Sequence, residues 1–456
     1  MPQPIPQPPA VPVLGNIFDV SPSNTWSSLK KLAEEYGEIF QVKILGKTLV
    51  FVASVALAEE LCDEKRFRKF VGGPIVEIRA AVHDSLFTAF HHEPSWGVAH
   101  RIIAPHLSAD LIKKQGFNEM RETADELIAK WAKKGPHVVS PLDELQRLDL
   151  EAVTYALFGQ RLNGLEGPRH PVIQAMEDST SEAMMRPTRP GVLNLLHSSK
   201  FKGAIKTMRD HAAKVVQHRR DNPTQREDLL TALLNSEDPV TKKKLTESQV
   251  IDEVVTMPIG SSTAPCLLTT AIFLLIQNPE AMARARQEVD ALAAGADLTA
   301  EHLDQLEYVQ GVVREALRLS FAAPGFNIEP IPSDSKAPIQ LLGGKYQVAH
   351  NQGMIVVLAG VNRDASVFED PLAFRPERMM GEQFERLPAG AKKWFGNGKR
   401  ECIGKHYAWQ WSVLVLAMLL RKVDFEMADA GYVPQQDGWF NYRLVGFETK
   451  VKPRVP

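Results

Sequence analysis

A single cysteine stands in the glycine-rich stretch Phe395-Gly396-Asn397-Gly398-Lys399-Arg400-Glu401-Cys402-Ile403-Gly404, just ahead of an apolar run reaching residue 421. The glycines let the backbone turn so that amide N–H groups point at one sulfur. A helix opening near Ile403 adds the positive end of its dipole. Phe395 offers an apolar cover, and Arg400 is placed to pair with an anionic group close by. The stretch forces a tight reversal before a long buried helix. It suits a thiolate that ligates iron from one face of a flat cofactor.

The rest of the composition narrows the classes. At 456 residues, 44% hydrophobic and 24% charged, the chain can bury a large core as a soluble globular protein. A net charge of −2 gives no support for a nucleic-acid partner. Cys62, Cys266 and Cys402 are odd in number and far apart, which argues against a disulfide framework or zinc spacing and for a reducing compartment. Cys62 and Cys266 read as small buried residues. The proline-rich start lacks a signal-peptide core, and no apolar run looks long enough to span a bilayer. A cytoplasmic protein without a transmembrane anchor is expected.

Along the chain, residues 26–36 have a helical pattern and lead into two β-branched, alternating strands at 38–44 and 48–53. Apolar spacing of three and four predicts helices over 120–133, 142–158, 201–220, 228–234, 279–292, 303–319 and 403–421. Residues 184–199, rich in Pro, Arg and Ser, interrupt that pattern and are expected to be a mobile connection. Short strands are expected near 339–342, 346–348 and 354–358. The fold class expected is mainly α, a single unit over 1–456 with a small β portion, chiefly 37–53 and 337–360.

The loop fits F-x-x-G-x-R-x-C-x-G, and on it the chain resembles the cytochrome P-450 heme-thiolate monooxygenases. The likeness is closest to the heme domain of soluble, self-sufficient bacterial and fungal fatty-acid hydroxylases. It extends from Gly37 to Val451 through stretches such as Tyr36-Gly37-Glu38-Ile39-Phe40, Arg66-Phe67, Leu86-Phe87-Thr88 and Phe374-Arg375-Pro376-Glu377-Arg378. The resemblance implies the P-450 fold, heme b bound through Cys402, and dioxygen as co-substrate. It also implies electrons from an NADPH-dependent flavoprotein reductase carrying FMN and FAD, fused or separate. Lys392, Lys393, Lys399, Arg400, Lys405 and His406 form the basic patch expected to receive such a donor.

Further residues take roles from the same resemblance. Glu315 and Arg318, three apart on one helix face, match the buried network that fixes the core near the heme loop, completed by Arg375 or Arg378. Trp96 and His100, four apart, share a helix face and with Arg400 form the set expected to hold the heme propionates. Lys69 is an addition to that set, and Leu86 and Phe395 are expected at the heme. The family pattern A/G-G-x-D/E-T-T/S falls on Gly260, Ser261, Ser262, Thr263 and Ala264, with Gly260 and Thr263 fitting. Ser262 occupies the acid position; a serine relays a proton but is no source of one at neutral pH. Water fed through Ser261, Ser262 and Thr263 is expected to replace the acid, in a segment bent by Pro258 and Pro265.

For the substrate pocket, Phe87 is expected over the heme, with Ile75, Ile78, Gly325, Phe326 and Phe440 as lining. Gly325 should leave room near the iron and permit attack away from a chain end. Lys47 and Phe51 match the arginine and tyrosine that anchor a carboxylate in relatives, which predicts weaker anchoring. The activity implied is hydroxylation of in-chain or subterminal carbons of fatty acids, fatty alcohols and alkanes. A peroxide-driven or hydroperoxide-rearranging enzyme, or a non-catalytic heme sensor, is the alternative.

Overall fold

Period-two alternation at the N-terminal side folds as its pattern implies. Strands β1 (Ile39–Ile44) and β2 (Lys47–Val52) pair antiparallel, with Phe40 opposite Phe51. The computed structural model describes residues 1–44, 46–293 and 297–454. Within them β3 is Phe67–Lys69, β4 His137–Val139, β5 Gly325–Pro330, β6 Ile339–Leu341, β7 Tyr346–Val348, β8 Met354–Val357, β9 Val423–Met427 and β10 Thr449–Pro453. The main sheet runs β1-β2-β8-β5-β3, with β2 and β8 parallel and the other pairs antiparallel. A β4-β10-β9 sheet and a β6-β7 hairpin complete the β portion. The strand β5, paired between β8 and β3 in the main sheet, escapes the sequence because it is bracketed by Pro324 and Pro330 and starts on a glycine. The three-residue strands β3 and β4 are too short for alternation to register.

The remainder is mainly helical, as expected, and one apolar cluster joins the long helices while a second sits under the main sheet. The helix Pro141–Phe158 starts at Ser140, whose hydroxyl accepts from Asp143 N–H, and is buried on nearly every side. The expected mobile connection over 184–199 is mostly helix. One helix runs Pro171–Met185, a 3-10 turn covers Arg186–Thr188, and the next helix already starts at Gly191 and continues to Asp221. Pro187 and Pro190 end one helix and start the other within a few residues. Arg186 and Arg189 both pair with Glu182 and hold the corner. The helix expected over 303–319 is two, Ala300–Gln305 and Glu307–Ser320.

Two helices, Glu247–Ser261 and Thr263–Gln277, follow end to end and cross the interior. Thr246 and Gln249 close the first with a reciprocal capping box. Together they are long and apolar enough to cross a membrane by length and composition, contrary to the sequence expectation, yet 72% of the apolar window is buried in the protein. The last long helix, Lys405–Lys422, is buried along most of its length.

The network at Glu315 and Arg318 is wholly buried, both side chains at 0% exposure. Arg318 Nε and Nη2 donate to the two Glu315 oxygens at 2.8 and 2.7 Å, and its other N–H groups reach the carbonyls of Asn362, Pro371 and Ala373. Only a guanidinium satisfies so many acceptors at once. Arg378 supplies the second cation, 3.4 Å from Glu315. Arg375 does not. It gives Glu315 only its backbone N–H, at 3.0 Å, while its side chain turns outward to Asp370 and Glu369. The 3-10 turn Pro376–Met379 carries the chain round so that Arg378, not Arg375, faces back inside.

Candidate active site

The cysteine loop is closed by its own backbone. Cys402 N–H donates to Phe395 O at 2.8 Å, Gly396 N–H to Lys393 O, and Glu401 N–H to Gly398 O. Gly396 and Gly398 sit at φ +77° and +65°, where a side chain is disfavoured. A β-carbon at Gly398 would also strike Glu64, whose Oε1 accepts from Lys399 N–H. Asn397 Nδ2 donates to Cys62 O at 2.8 Å and ties the loop to the sheet side. The long helix starts at Lys405, slightly later than the sequence suggests.

Cys402 itself combines two properties that rarely coincide. Its side chain has accessible surface, yet burial raises its thiol pKa, opposed by the Gly404 N–H and the Lys69 ammonium, with Glu401 adding to the rise. Both hold if the sulfur opens onto an interior space rather than bulk water. Deep in protein, the thiolate needs a metal cation to be the favoured form.

Beside the loop lies a cationic cluster. The Arg400 guanidinium sits 5.2 Å over the Trp96 ring, and Trp96 stacks on His100 with centroids 5.0 Å apart. The helix Ser95–Ile103 thus presents both rings on one face, as their spacing predicts. Arg400 also donates to Ala89 O, and Lys69 donates to Arg400 O at 2.7 Å. Lys69 therefore staples the loop and stands outside the Arg400–Trp96–His100 stack. Burial, and then Arg68, lower the Arg400 pKa; burial followed by Arg101 lowers that of His100. The half-buried Arg400 guanidinium, with Arg68 near enough to lower its pKa and the Trp96 and His100 rings beside it, matches a heme, whose carboxylates would offset that charge. Of the basic patch, Lys393 is bound to Asn397 and Lys405 pairs with Glu401, while Lys399 is exposed.

Across the interior, the crossing helices break at Ser262. Neither Pro258 nor Pro265 has an N–H for the ladder, so the backbone opens between them. Three hydroxyls fold back on the break: Ser261 donates to Pro258 O (3.2 Å), Ser262 to Ile259 O (2.7 Å) and Thr263 to Gly260 O (3.2 Å). Gly260 is exposed although Ile259 before it is buried, and a β-carbon there would meet nothing within 4 Å. Thr263 is half-exposed. Ser262 is buried and accepts from Asn441 Nδ2 at 3.0 Å, so its hydroxyl is engaged away from the accessible Gly260. Ser261 makes a further bond, 2.6 Å to Asp149 Oδ2 on the helix Pro141–Phe158.

Phe87 and Phe440 meet edge to face with centroids 6.3 Å apart, bringing together two expected pocket residues 353 positions distant (440 − 87). Ile78 is buried in the same apolar cluster, and Ile75 is half-buried. Leu86 N–H donates to Glu253 Oε1 at 2.7 Å, fixing the residue beside Phe87 to the crossing helix. Burial pushes the Glu253 carboxyl up to about 8. Phe326 is buried with Lys69 Nζ 5.7 Å from its ring. Two expectations fail. A Gly325 side chain would point at Val356 O (2.3 Å) and Trp26 (3.1 Å), so this glycine serves a close strand approach rather than opening space for a substrate. Phe51 is 3% exposed and stacks on Phe40 at 5.1 Å; it belongs to the sheet core and not to a channel mouth, whereas Lys47 is exposed.

Asp149, Glu253 and Asn441 were not singled out by sequence. The only signal for the two acids was a carboxyl inside an otherwise apolar helical pattern.

Residues 5–451 match the family model described as Cytochrome P450. The bifunctional cytochrome P450/NADPH–P450 reductase ascE of Acremonium egyptiacum is 36% identical over 441 residues, covering 94% of this chain and 41% of that protein. The self-sufficient cytochrome P450 monooxygenases CYP505E3 of Aspergillus terreus and CYP505U2 of Exserohilum turcicum are both 38% identical over 436 residues. They too are covered for 94% of this chain, and for 41% and 40% of theirs. The chain spans about two fifths of the length of the curated relatives it matches.

Proposed function

The chain belongs to the cytochrome P450 family and takes heme as its cofactor, and from that premise we propose that residues 1–456 are one heme domain of a monooxygenase. It hydroxylates in-chain or subterminal carbons of medium- to long-chain aliphatics. The observation that carries this is the Cys402 sulfur, accessible yet deep, in a loop whose Gly404 N–H and Lys69 ammonium favour its charge. Thiolate-bound heme supplies activation of dioxygen for insertion of one oxygen atom into a C–H bond.

The chain's residues divide the remaining tasks. Cys402 holds the iron, and Arg400, Trp96 and His100 hold the heme carboxylates. Gly260 and Thr263 leave space for the small reactants and a hydroxyl beside them. Phe87 and Phe440 restrict which carbon of an aliphatic chain approaches. With Phe51 in the core, Lys47 alone remains to meet a carboxylate. Losing one such hydrogen bond weakens acid binding by about 1–2 kcal/mol. Alkanes and fatty alcohols should therefore compete with fatty acids.

Electrons come from an NADPH-dependent reductase bearing FMN and FAD, a reading supported by the NADPH–P450 reductase joined to the cytochrome P450 in the ascE relative. The protein acts in the cytoplasm. Two measurements test the proposal. Reduction under carbon monoxide should give the long-wavelength Soret band of thiolate ligation; its absence from heme-replete protein overturns the reading. Incubation with a flavin reductase and mixed acids, alcohols and alkanes should give alcohols oxidised within the chain. Product formed with hydrogen peroxide and none with reductase and dioxygen would instead select a peroxide-driven enzyme.

A further inference from the structure

The break in the crossing helices lacks an acid of its own, and one carboxyl reaches it from another helix. Asp149 projects from Pro141–Phe158, is 3% exposed, and has no cation paired with it among the described residues. Its Oδ2 lies 2.6 Å from Ser261 Oγ, and its Oδ1 is buried without a partner. Ser261 Oγ is also 3.2 Å from Pro258 O. One hydroxyl proton thus faces two acceptors.

The conflict disappears when Asp149 is protonated. Its O–H then donates to Ser261 Oγ, and the Ser261 O–H is free to donate to Pro258 O or to water beside Gly260. When Asp149 gives its proton to water, the carboxylate claims the Ser261 O–H for itself. The hydroxyl is then withdrawn from the break. We propose that Asp149 is the positioning residue for proton supply at this break, setting through Ser261 whether a hydroxyl proton is available on the Gly260 side. This rests on the monooxygenase reading, since only there does a proton at the break have a use.

Energetics agree with the geometry. Burial pushes the Asp149 carboxyl up to about 7, with the Ser261 hydrogen bond opposing the rise. Two titratable groups feel its charge from neighbouring helices: Tyr407 on Lys405–Lys422 and Cys266 on Thr263–Gln277, both of them acids that Asp149 raises. Neither supplies a positive charge that would keep Asp149 ionised. The Tyr407 hydroxyl is buried and without a partner, like Asp149 Oδ1. Because Asp149 holds its proton more tightly folded than unfolded, its contribution to stability is fully present below about pH 4. It is lost as pH rises toward about 7.

Two readouts test the proposal, using heme-loaded protein. In infrared difference spectra between acidic and alkaline pH, the wild type should show a protonated-carboxyl band that Asp149→Asn removes; subtracting the variant leaves out Glu253, which titrates in both. Between pH 6 and 8 the protonated Asp149 population falls about tenfold, and product per NADPH consumed should fall with it. In Asp149→Asn the amide donates permanently to Ser261, so that yield should stay flat. Ser261→Ala should also be flat but low, and Ser261→Thr should restore the slope. A wild-type slope persisting in Asp149→Asn, or an infrared band unchanged by that substitution, overturns the inference. A missing thiolate Soret band in the wild type would instead overturn the monooxygenase reading, while the infrared comparison still decides the Asp149–Ser261 link.

Discussion

The cysteine loop and the break in the crossing helices treat their backbone in opposite ways. The loop satisfies itself: Phe395, Lys393 and Gly398 carbonyls are paired within a few residues, and the glycines at positive φ make the turns possible. The break has lost ladder bonds to two prolines and is held by side chains instead: three of its own hydroxyls donate to nearby carbonyls, and Asp149 and Asn441 reach two of those hydroxyls from elsewhere. A rigid, self-contained ligand cradle stands against a polar opening whose state depends on distant partners. Iron ligation needs a fixed sulfur, whereas proton handling needs hydroxyls able to change direction.

The largest expected effect falls on the loop. Cys402→Ser should abolish the thiolate Soret band and oxygenation together, while the neighbouring backbone bonds persist. Next comes the network that supports the loop's surroundings. Glu315→Gln leaves the Arg318 charge buried without its partner and should cost about 3–5 kcal/mol in urea unfolding. Arg378→Ala should cost less, since that side chain is 13% exposed. Arg375→Ala should lie within about 1 kcal/mol of wild type, because its ion pairs are at the surface. Reversal of the last two would return the network to Arg375.

At the break the changes should be smaller and more selective. Asn441→Ala removes one donor to Ser262 and should cost about 1 kcal/mol, with the Soret band unchanged. If instead the band weakened, the two regions would be coupled and the contrast between them lost. Phe87→Ala should alter stability least for its effect on chemistry, shifting the distribution of hydroxylated carbons seen by product analysis.

The same contrast explains what sequence reading recovered. The loop is contiguous, so its glycines, arginine and cysteine carry their own geometry in ten letters. Long helices announced themselves because apolar spacing repeats over many turns. The contacts at the break did not, since Ser261 meets Asp149 across 112 positions and Ser262 meets Asn441 across 179. Ser262 looked like a relay from its place in the motif, but the motif says nothing about which side its hydroxyl takes. Arg375 and Arg378 share one short motif, and only the tight turn between them chooses which side chain goes inward. Strand β5 was hidden for a similar reason: its pairing with β8 and β3 is set by tertiary neighbours, not by its own composition.

The close approach at Gly325 bears on how such an enzyme could be redesigned. Adding bulk there is an obvious route to narrowing a substrate cavity, yet the added carbon would drive against the main chain of Val356. The two strands would have to separate before any hydrocarbon felt the difference, so Gly325→Ala should register first as a lower melting temperature. On the proposed function, selectivity would be more safely retuned from the aromatic edge formed by Phe87 and Phe440, where only side chains must give way.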